Sequence, residues 1–369
     1  MSCSKIFSGD LPELIYEIIK YFRDDYSTLH SCVLVNRLWC RFAIPLLWEN
    51  TFSFPTKNYN VVEIYFHNLE DDLKTELNEY KINKNPLPSN TLFNYPSFLK
   101  YMNTRKVISS IGMWRFKRTS IVGNRYFSRD NFRKSISMAL FKIFIENEIN
   151  LHTFEIEINA SFGTYCDNVL ELILQNPNFI HNIKNLNLSI ISLNTQIKNR
   201  ISQIINSHQN LKKIMFRRDF SSLYQPLLLS KYKRSQIDDS LLLLLQKSGQ
   251  ILPFKLEYLN LALNINIIDF EIFLKNSQNT FFKKLLINNI TPKYCHDIDI
   301  LPFIKEYIMK KKKVKNLAIK NTFTSEHHMK SGDLSNSKDE LEEFKFYNIR
   351  VQSYNELFID INTFIMDID

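Results

Sequence analysis

The apolar positions of residues 10–22, DLPELIYEIIKYF, predict an amphipathic helix. Leu11, Leu14, Ile15, Ile18, Ile19 and Phe22 recur at i, i+3, i+4, i+7 and i+8, which is the period of one helix face. At the helical turn angle they fill a stripe of about 140°, with Glu13, Glu17 and Lys20 opposite. Asp10 is placed to cap the helix, Pro12 suits its first turn, and Glu13 can reach back to the cap. Two shorter helices follow. Ser27 is a candidate cap for one carrying Leu29, Cys32 and Val33. Asn36 is a candidate cap for one carrying Trp39, Cys40 and Ala43, which Pro45 is expected to interrupt. Three helices in about forty residues lie at the lower limit of what folds alone. Leu38, Phe42, Leu46, Leu47 and Trp48 add more apolar side chains than so small a bundle can turn inward. Some must face a second surface, on the rest of the chain or on another protein.

Residues 51–97 change character. Within them 61–80 alternates at first and then becomes acidic and helical, and the Pro/Asn-rich KINKNPLPSN that follows is the best linker candidate. Beyond it one pattern recurs, apolar-x-x-apolar-x-apolar. It begins at Leu151, Ile183, Leu211, Leu256, Phe282, Val314 and Leu341, at intervals of 26 to 45 residues. Helical stretches fall between these short strands, at 165–176, 195–208, 238–249, 269–277 and 301–313. A strand, a turn and a helix at a period near 28 is the plan of a leucine-rich repeat, in which each unit buries its face only against its neighbours. The array is irregular. The L-x-x-L-x-L-x-x-N ladder is complete only through Asn159 and Asn264, the longest interval holds the insertion 217–235, and 323–340 has loop composition. The predicted class is α/β: a three-helix segment (1–50), a transition (51–97), and an irregular solenoid of short parallel strands alternating with helices (98–369).

Composition narrows the function. With 44% hydrophobic and 23% charged residues the chain is globular rather than disordered. Its six glycines leave no G-x-G-x-x-G fingerprint or P-loop, so nucleotide chemistry through those devices is not expected. Cys3, Cys32, Cys40, Cys166 and Cys295 are scattered, with no C-x-x-C pair, and read as free thiols of a reducing compartment. His296 and the His327–His328 pair lack the spacing of metal ligands. No nucleophile motif is present, so neither catalysis nor a cofactor is expected. The first ten residues lack a signal-peptide core, and the longest apolar run is the leucine stretch 241–245. No membrane partner is expected, and the cytoplasm or nucleus is the expected location. The net charge of +9 is dispersed over 115–118, 216–218, 231–234 and 310–313, without interleaved aromatics, which speaks for a lysine-rich solvated surface over a nucleic-acid partner. Lys310–Lys313 also closes a predicted helix, where lysines meet the negative end of its dipole.

The ordered set LPELIYEIIKYF … STLHSCVLVNRLWCRFAIPLLW, residues 11–48, resembles the F-box. The Leu-Pro-Glu opening, the SC..VN..W centre and the closing PLLW fall in family order. The resemblance covers about an eighth of the chain. It implies docking on the Skp adaptor, and through it the cullin, of an SCF-type ubiquitin ligase. Leu11, Pro12, Leu14, Ile15 and Ile18 would then be adaptor-facing, with Val35 and Trp39 near the same surface. F-boxes are commonly followed by leucine-rich repeats, which fits the array as the holder of a client protein for ubiquitin-dependent degradation. The other reading is a non-catalytic scaffold using the same modules without a ligase. A client would meet the outward residues of the strands. These include Glu155 and Glu157 on the first, Arg217 on the third, Lys320 on the sixth, and Lys345 and Tyr347 on the seventh, a run from acidic to basic.

Overall fold

The computed structural model describes residues 11–53, 61–66, 91–118, 126–158, 163–190, 195–208, 210–217, 252–253, 255–263, 265–292, 299–324 and 329–359. The cap candidate Asp10, ladder residues Asn159 and Asn264, most of the insertion, the 238–249 helix, Cys3, Cys295, His296 and His327–His328 lie outside the described residues. The chain divides into two compact units, Met1–Leu151 and His152–Asp369.

The first unit opens with α1 (Pro12–Tyr21), α2 (Tyr26–Val33) and α3 (Arg37–Trp48). Pro12 sits in the first turn of α1, and Leu11 holds the cap position without a side-chain bond. Asp25, not Ser27, caps α2, its carboxylate accepting the Thr28 amide at 3.0 Å. Asn36 caps α3 as expected, accepting from the Leu38 and Trp39 amides at 2.9 and 3.0 Å. Pro45 does not interrupt α3, which runs through it to Trp48. A proline there removes one ladder bond and crowds the Arg41 carbonyl. The inward stripe of Trp39, Ala43, Leu46 and Leu47 spans the proline, and its burial outweighs that loss.

Beyond α3 the unit acquires core from residues that read as transition. Trp48 lies 5.5 Å from Tyr65 and 4.2 Å from Tyr95, ring centre to centre. Tyr65 ends α4 (Val61–Tyr65) and packs on Phe52 at 5.6 Å. It also meets Phe144 of α6 (Tyr126–Glu146) at 5.2 Å. Between them lie β1 (Tyr101–Asn103) and α5 (Thr104–Arg118). Trp114 of α5 donates its indole N–H to Glu63 of α4 at 2.9 Å. Residues 91–151 therefore belong with the first unit and not with the array, and part of the apolar surplus of α3 is absorbed here.

The second unit is a sheet whose strands pair in chain order: β2 (Thr153–Ile158), β3 (Asn185–Ile190), β4 (Lys213–Arg217), β5 (Tyr258–Leu263), β6 (Phe282–Pro292) and β7 (Val314–Thr324), all parallel to their neighbours. The register aligns one apolar row, Phe154, Leu186, Ile214, Leu259, Leu285 and Leu317, across every strand. All six are buried. This is the row that α7 (Gly163–Gln175), α8 (Thr195–Ser207) and α9 (Ile267–Asn276) can cover with their own buried stripes, such as Ile201, Ile204 and Ile205 of α8. Six of the seven predicted strands form, and a parallel sheet alternates with helices as expected.

The seventh does not. Residues from Leu341 lie in α11 (Lys338–Phe346), which follows α10 (Leu301–Ile304) in the chain. The physical reason is charge spacing. Glu340 and Glu343 stand three residues apart on one helix face, and both meet Lys305 at 2.7 and 2.6 Å. Nor is 323–340 a plain loop: β8 (Met329–Asp333) runs antiparallel along Lys320–Thr324 of β7. The two-residue β9 (Arg350–Val351) pairs with Asn316 and Leu317 of the same strand, so β8 and β9 share the far edge of β7.

His208, just after α8, is 3% exposed, and burial pushes its pKa down to about 4, with His181 adding repulsion. The unfolded chain binds a proton here near 6.5, well before the folded chain does. Stability contributed by the neutral ring is therefore present above about pH 6.5 and lost as pH falls towards 4, by on the order of 3 kcal/mol in full. Urea titrations at pH 7 and pH 4.5 should show that loss for the second unit, and His208→Gln should flatten it.

Candidate interaction surfaces

Two surfaces follow from these elements. On the bundle, α1 divides its apolar stripe. Ile15 and Ile19 are fully buried against Leu29, Cys32, Trp39 and Leu46. Leu11, Leu14 and Ile18, one helix face away, are not: Leu14 is 43% exposed, and Leu11, Pro12 and Ile18 are half-buried. The turn between α2 and α3 presents Val35 at 47% and Leu34 at 75% exposure. Two residues expected to face an adaptor are therefore corrected. Ile15 is 0% and Trp39 8% exposed, because the three helices need both to close their own core. Leu34, beside Val35 and past the end of an eight-residue helix, is a further outward apolar position that the periodicity did not single out.

The bundle is held in shape by a buried ion pair. Glu49 is 4% exposed, and both its carboxylate oxygens accept from the Arg23 guanidinium between α1 and α2. This hydrogen bonding, more than charge alone, raises the Arg23 pKa further. The Glu49 carbonyl accepts the amides of Lys100 and Tyr101, each at 2.9 Å. One residue thus ties the end of α3 to the α1–α2 corner and to β1.

The second surface is the sheet face opposite the buried apolar row. Side chains alternate along a strand, so the register sets two lines of residues across it. The first is Glu155, Asn187, Met215, Asn260, Leu286 and Ala318, and the second Glu157, Ser189, Arg217, Ala262, Asn288 and Lys320. The register places the expected set on this face over six strands, but its first line is buried throughout, and Glu157, Arg217, Ala262, Asn288 and Lys320 of the second line keep partial exposure. The face differs from the expectation in two further respects. Arg217 donates to Glu155 at 3.1 Å and Asn187 donates to it at 2.7 Å, so the first acidic residue is paired within the face. Lys345 and Tyr347 lie in the last turn and cap of α11, not on a strand, and Lys345 sits 3.6 Å from Glu342. The acidic-to-basic run along the face does not exist in the predicted form.

The face is also not bare. The chain after β9 folds onto it as α12 (Tyr354–Leu357). Tyr354 and Leu357 are buried in one cluster with Met215, Tyr258, Leu286 and Ala318. The Tyr354 hydroxyl donates to Asn260 Oδ1 at 2.8 Å, and its amide donates to Asp333 Oδ2 at 2.9 Å. Burial raises the Tyr354 pKa to about 12, so the phenol keeps the proton this bond uses. Lys320 Nζ stands 6.0 Å from the centre of the same ring. From sequence, Tyr354 and Leu357 carry only the i, i+3 spacing of a single turn, a signal too short to read.

Among the described residues, no group of three or more His, Cys, Asp or Glu is arranged to hold a metal ion. No helix among them is long and apolar enough to cross a membrane. No family model, no curated protein and no solved structure matches this chain.

Proposed function

We propose that this chain is a substrate-recognition subunit of an SCF-type ubiquitin ligase, with an F-box docking on a Skp adaptor and a leucine-rich-repeat-like array holding a client protein. The observation that carries the reading is the outward apolar set on a three-helix bundle whose sequence follows F-box order. Leu11, Pro12, Leu14, Ile18, Leu34 and Val35 retain accessible surface there while Ile15, Ile19 and Trp39 close the core. Covering an apolar side chain that is still about half in water contributes on the order of 1 kcal/mol, about half of what full burial gives. The adaptor face is accordingly this outward set, without Ile15 and Trp39. The parallel, sequentially paired sheet supports the array as the client-holding part.

The test is capture of a purified Skp adaptor, with cullin, by the tagged full-length chain. Wild type is expected to retain both. Leu14→Asp with Val35→Asp, at exposed positions, should lose at least about 100-fold in adaptor affinity while the thermal transition stays in place. Wild-type protein that is folded and captures no adaptor leaves the scaffold reading. Undiminished capture by the double variant would place the adaptor on another surface.

A further inference from the structure

We propose that residues 352–359 are a displaceable internal occupant of the client face, and that the seat takes peptides of the same chemistry: an aromatic residue at i, an aliphatic at i+3 and an apolar residue at i+4. The proposal rests on the sheet face alone and stands whether or not the bundle docks an adaptor.

The seat is built from strand residues. Met215, Leu286 and Ala318 occupy one registered line on β4, β6 and β7, with Asn260 between them on β5. On a face whose neighbouring positions are Glu, Asn, Ser, Arg and Lys, this is an apolar floor with one polar acceptor at its centre. Tyr354 fills it with its ring, and its hydroxyl finds Asn260. Leu357 fills the adjoining part, and Phe358 and Ile359 pack at the margin. Asp333, at the end of β8, takes the backbone amide that begins the turn.

The occupant, by contrast, is slight. α12 has four residues, and the amides of Leu357 and Phe358 bond only to the carbonyls of Ser353 and Tyr354 within the turn. Among the described residues, the last bond to a strand backbone is from the Gln352 amide to the Leu317 carbonyl at 3.0 Å, and the Ile359 amide reaches only a side chain, the Tyr258 hydroxyl at 3.5 Å. Past that point the segment is held by two side chains in the seat and a few polar contacts, so it can lift without opening the sheet ladder. A tether this short gives it an effective concentration on the order of millimolar, enough to exclude weak peptides while yielding to a better-fitting one. A client segment with the same knobs gains the seat by displacing 352–359. This makes the face selective without a rigid pocket.

The test uses the full chain and a fluorescent peptide of residues 351–359. Tyr354→Ala with Leu357→Ala empties the seat. The folded double variant should bind the peptide at least about tenfold more tightly than wild type, which holds its own copy. A peptide carrying the same two alanines should not bind. Equal binding of the native peptide by both folded proteins, or binding indifferent to the alanines, overturns the proposal. Should the double variant not fold, hydrogen exchange on wild type decides. Leu357 and Phe358 amides exchanging at least about 100-fold faster than those of Leu285 and Leu286 support a lifting segment. Exchange as slow as that of β6 makes 352–359 an integral part of the core and overturns the proposal.

Discussion

Ile15→Ala is expected to destabilise the first unit by about 2–5 kcal/mol, while Leu14→Ala one position earlier changes it by no more than about 0.5 kcal/mol. The neighbours sit on the same turn of α1 and differ only in which way they point. Ile15 is fully buried among Leu29, Cys32, Trp39 and Leu46, so truncation leaves a cavity that three short helices can close only in part. Leu14 is 43% exposed, so truncation removes mostly water-facing surface. Trp39→Ala should resemble Ile15→Ala, at about 3–5 kcal/mol, and Val35→Ala should resemble Leu14→Ala. Urea unfolding followed by near-ultraviolet circular dichroism separates the two classes. Equal losses for Ile15→Ala and Leu14→Ala would show that the bundle buries α1 on both sides and has no free face.

Glu49→Ala is expected to cost about 3–5 kcal/mol, more than a surface ion pair of similar geometry would. The side chains of Arg23 and Glu49 are 13% and 5% exposed, so the guanidinium left behind has little water to replace its partner. Lys100, 3.9 Å from the same carboxylate, loses a second and weaker contact. Glu49→Gln keeps the shape and one acceptor and should recover part of the loss. Arg23→Met leaves the more deeply buried Glu49 carboxylate without its guanidinium and should cost about as much, whereas Arg23→Met with Glu49→Leu, which removes both buried charges together, should cost less than either single change. If Glu49→Ala instead melts within about 1 °C of wild type, the corner is held by the aromatic cluster of Trp48, Tyr65 and Phe144 and not by the pair.

Much of this architecture is carried by local spacing. The 3.6-residue period of 11–22, the Asn36 cap and the repeated apolar-x-x-apolar-x-apolar segments each act over a few residues; the helix and the cap form, as do six of the seven segments. The strand register is legible for the same reason: a row that must be apolar on every strand admits one alignment, since a slip of one residue would turn it to the other face. Where two local signals compete, the pattern misleads. LEEFKF satisfies the strand template, yet the i, i+3 pairing of Glu340 and Glu343 with Lys305, distant in sequence, belongs to a helix. Pro45 signals a break, yet apolar residues on both of its sides share one buried stripe.

The sequence by itself determined the three N-terminal helices, the parallel α/β array, the inward and outward rows of six strands, and the presence of more apolar surface on the bundle than it can hide. Tertiary structure decided which side of α1 closes the core, that residues 91–151 join the first unit, that Glu155 pairs with Arg217, and that 352–359 covers the sheet face. The physical reason is range. Helix and strand periods are set by neighbours a few residues away, whereas Tyr354 meets Asn260 across 94 positions and Arg23 meets Glu49 across 26, contacts that exist only once the chain has closed around them.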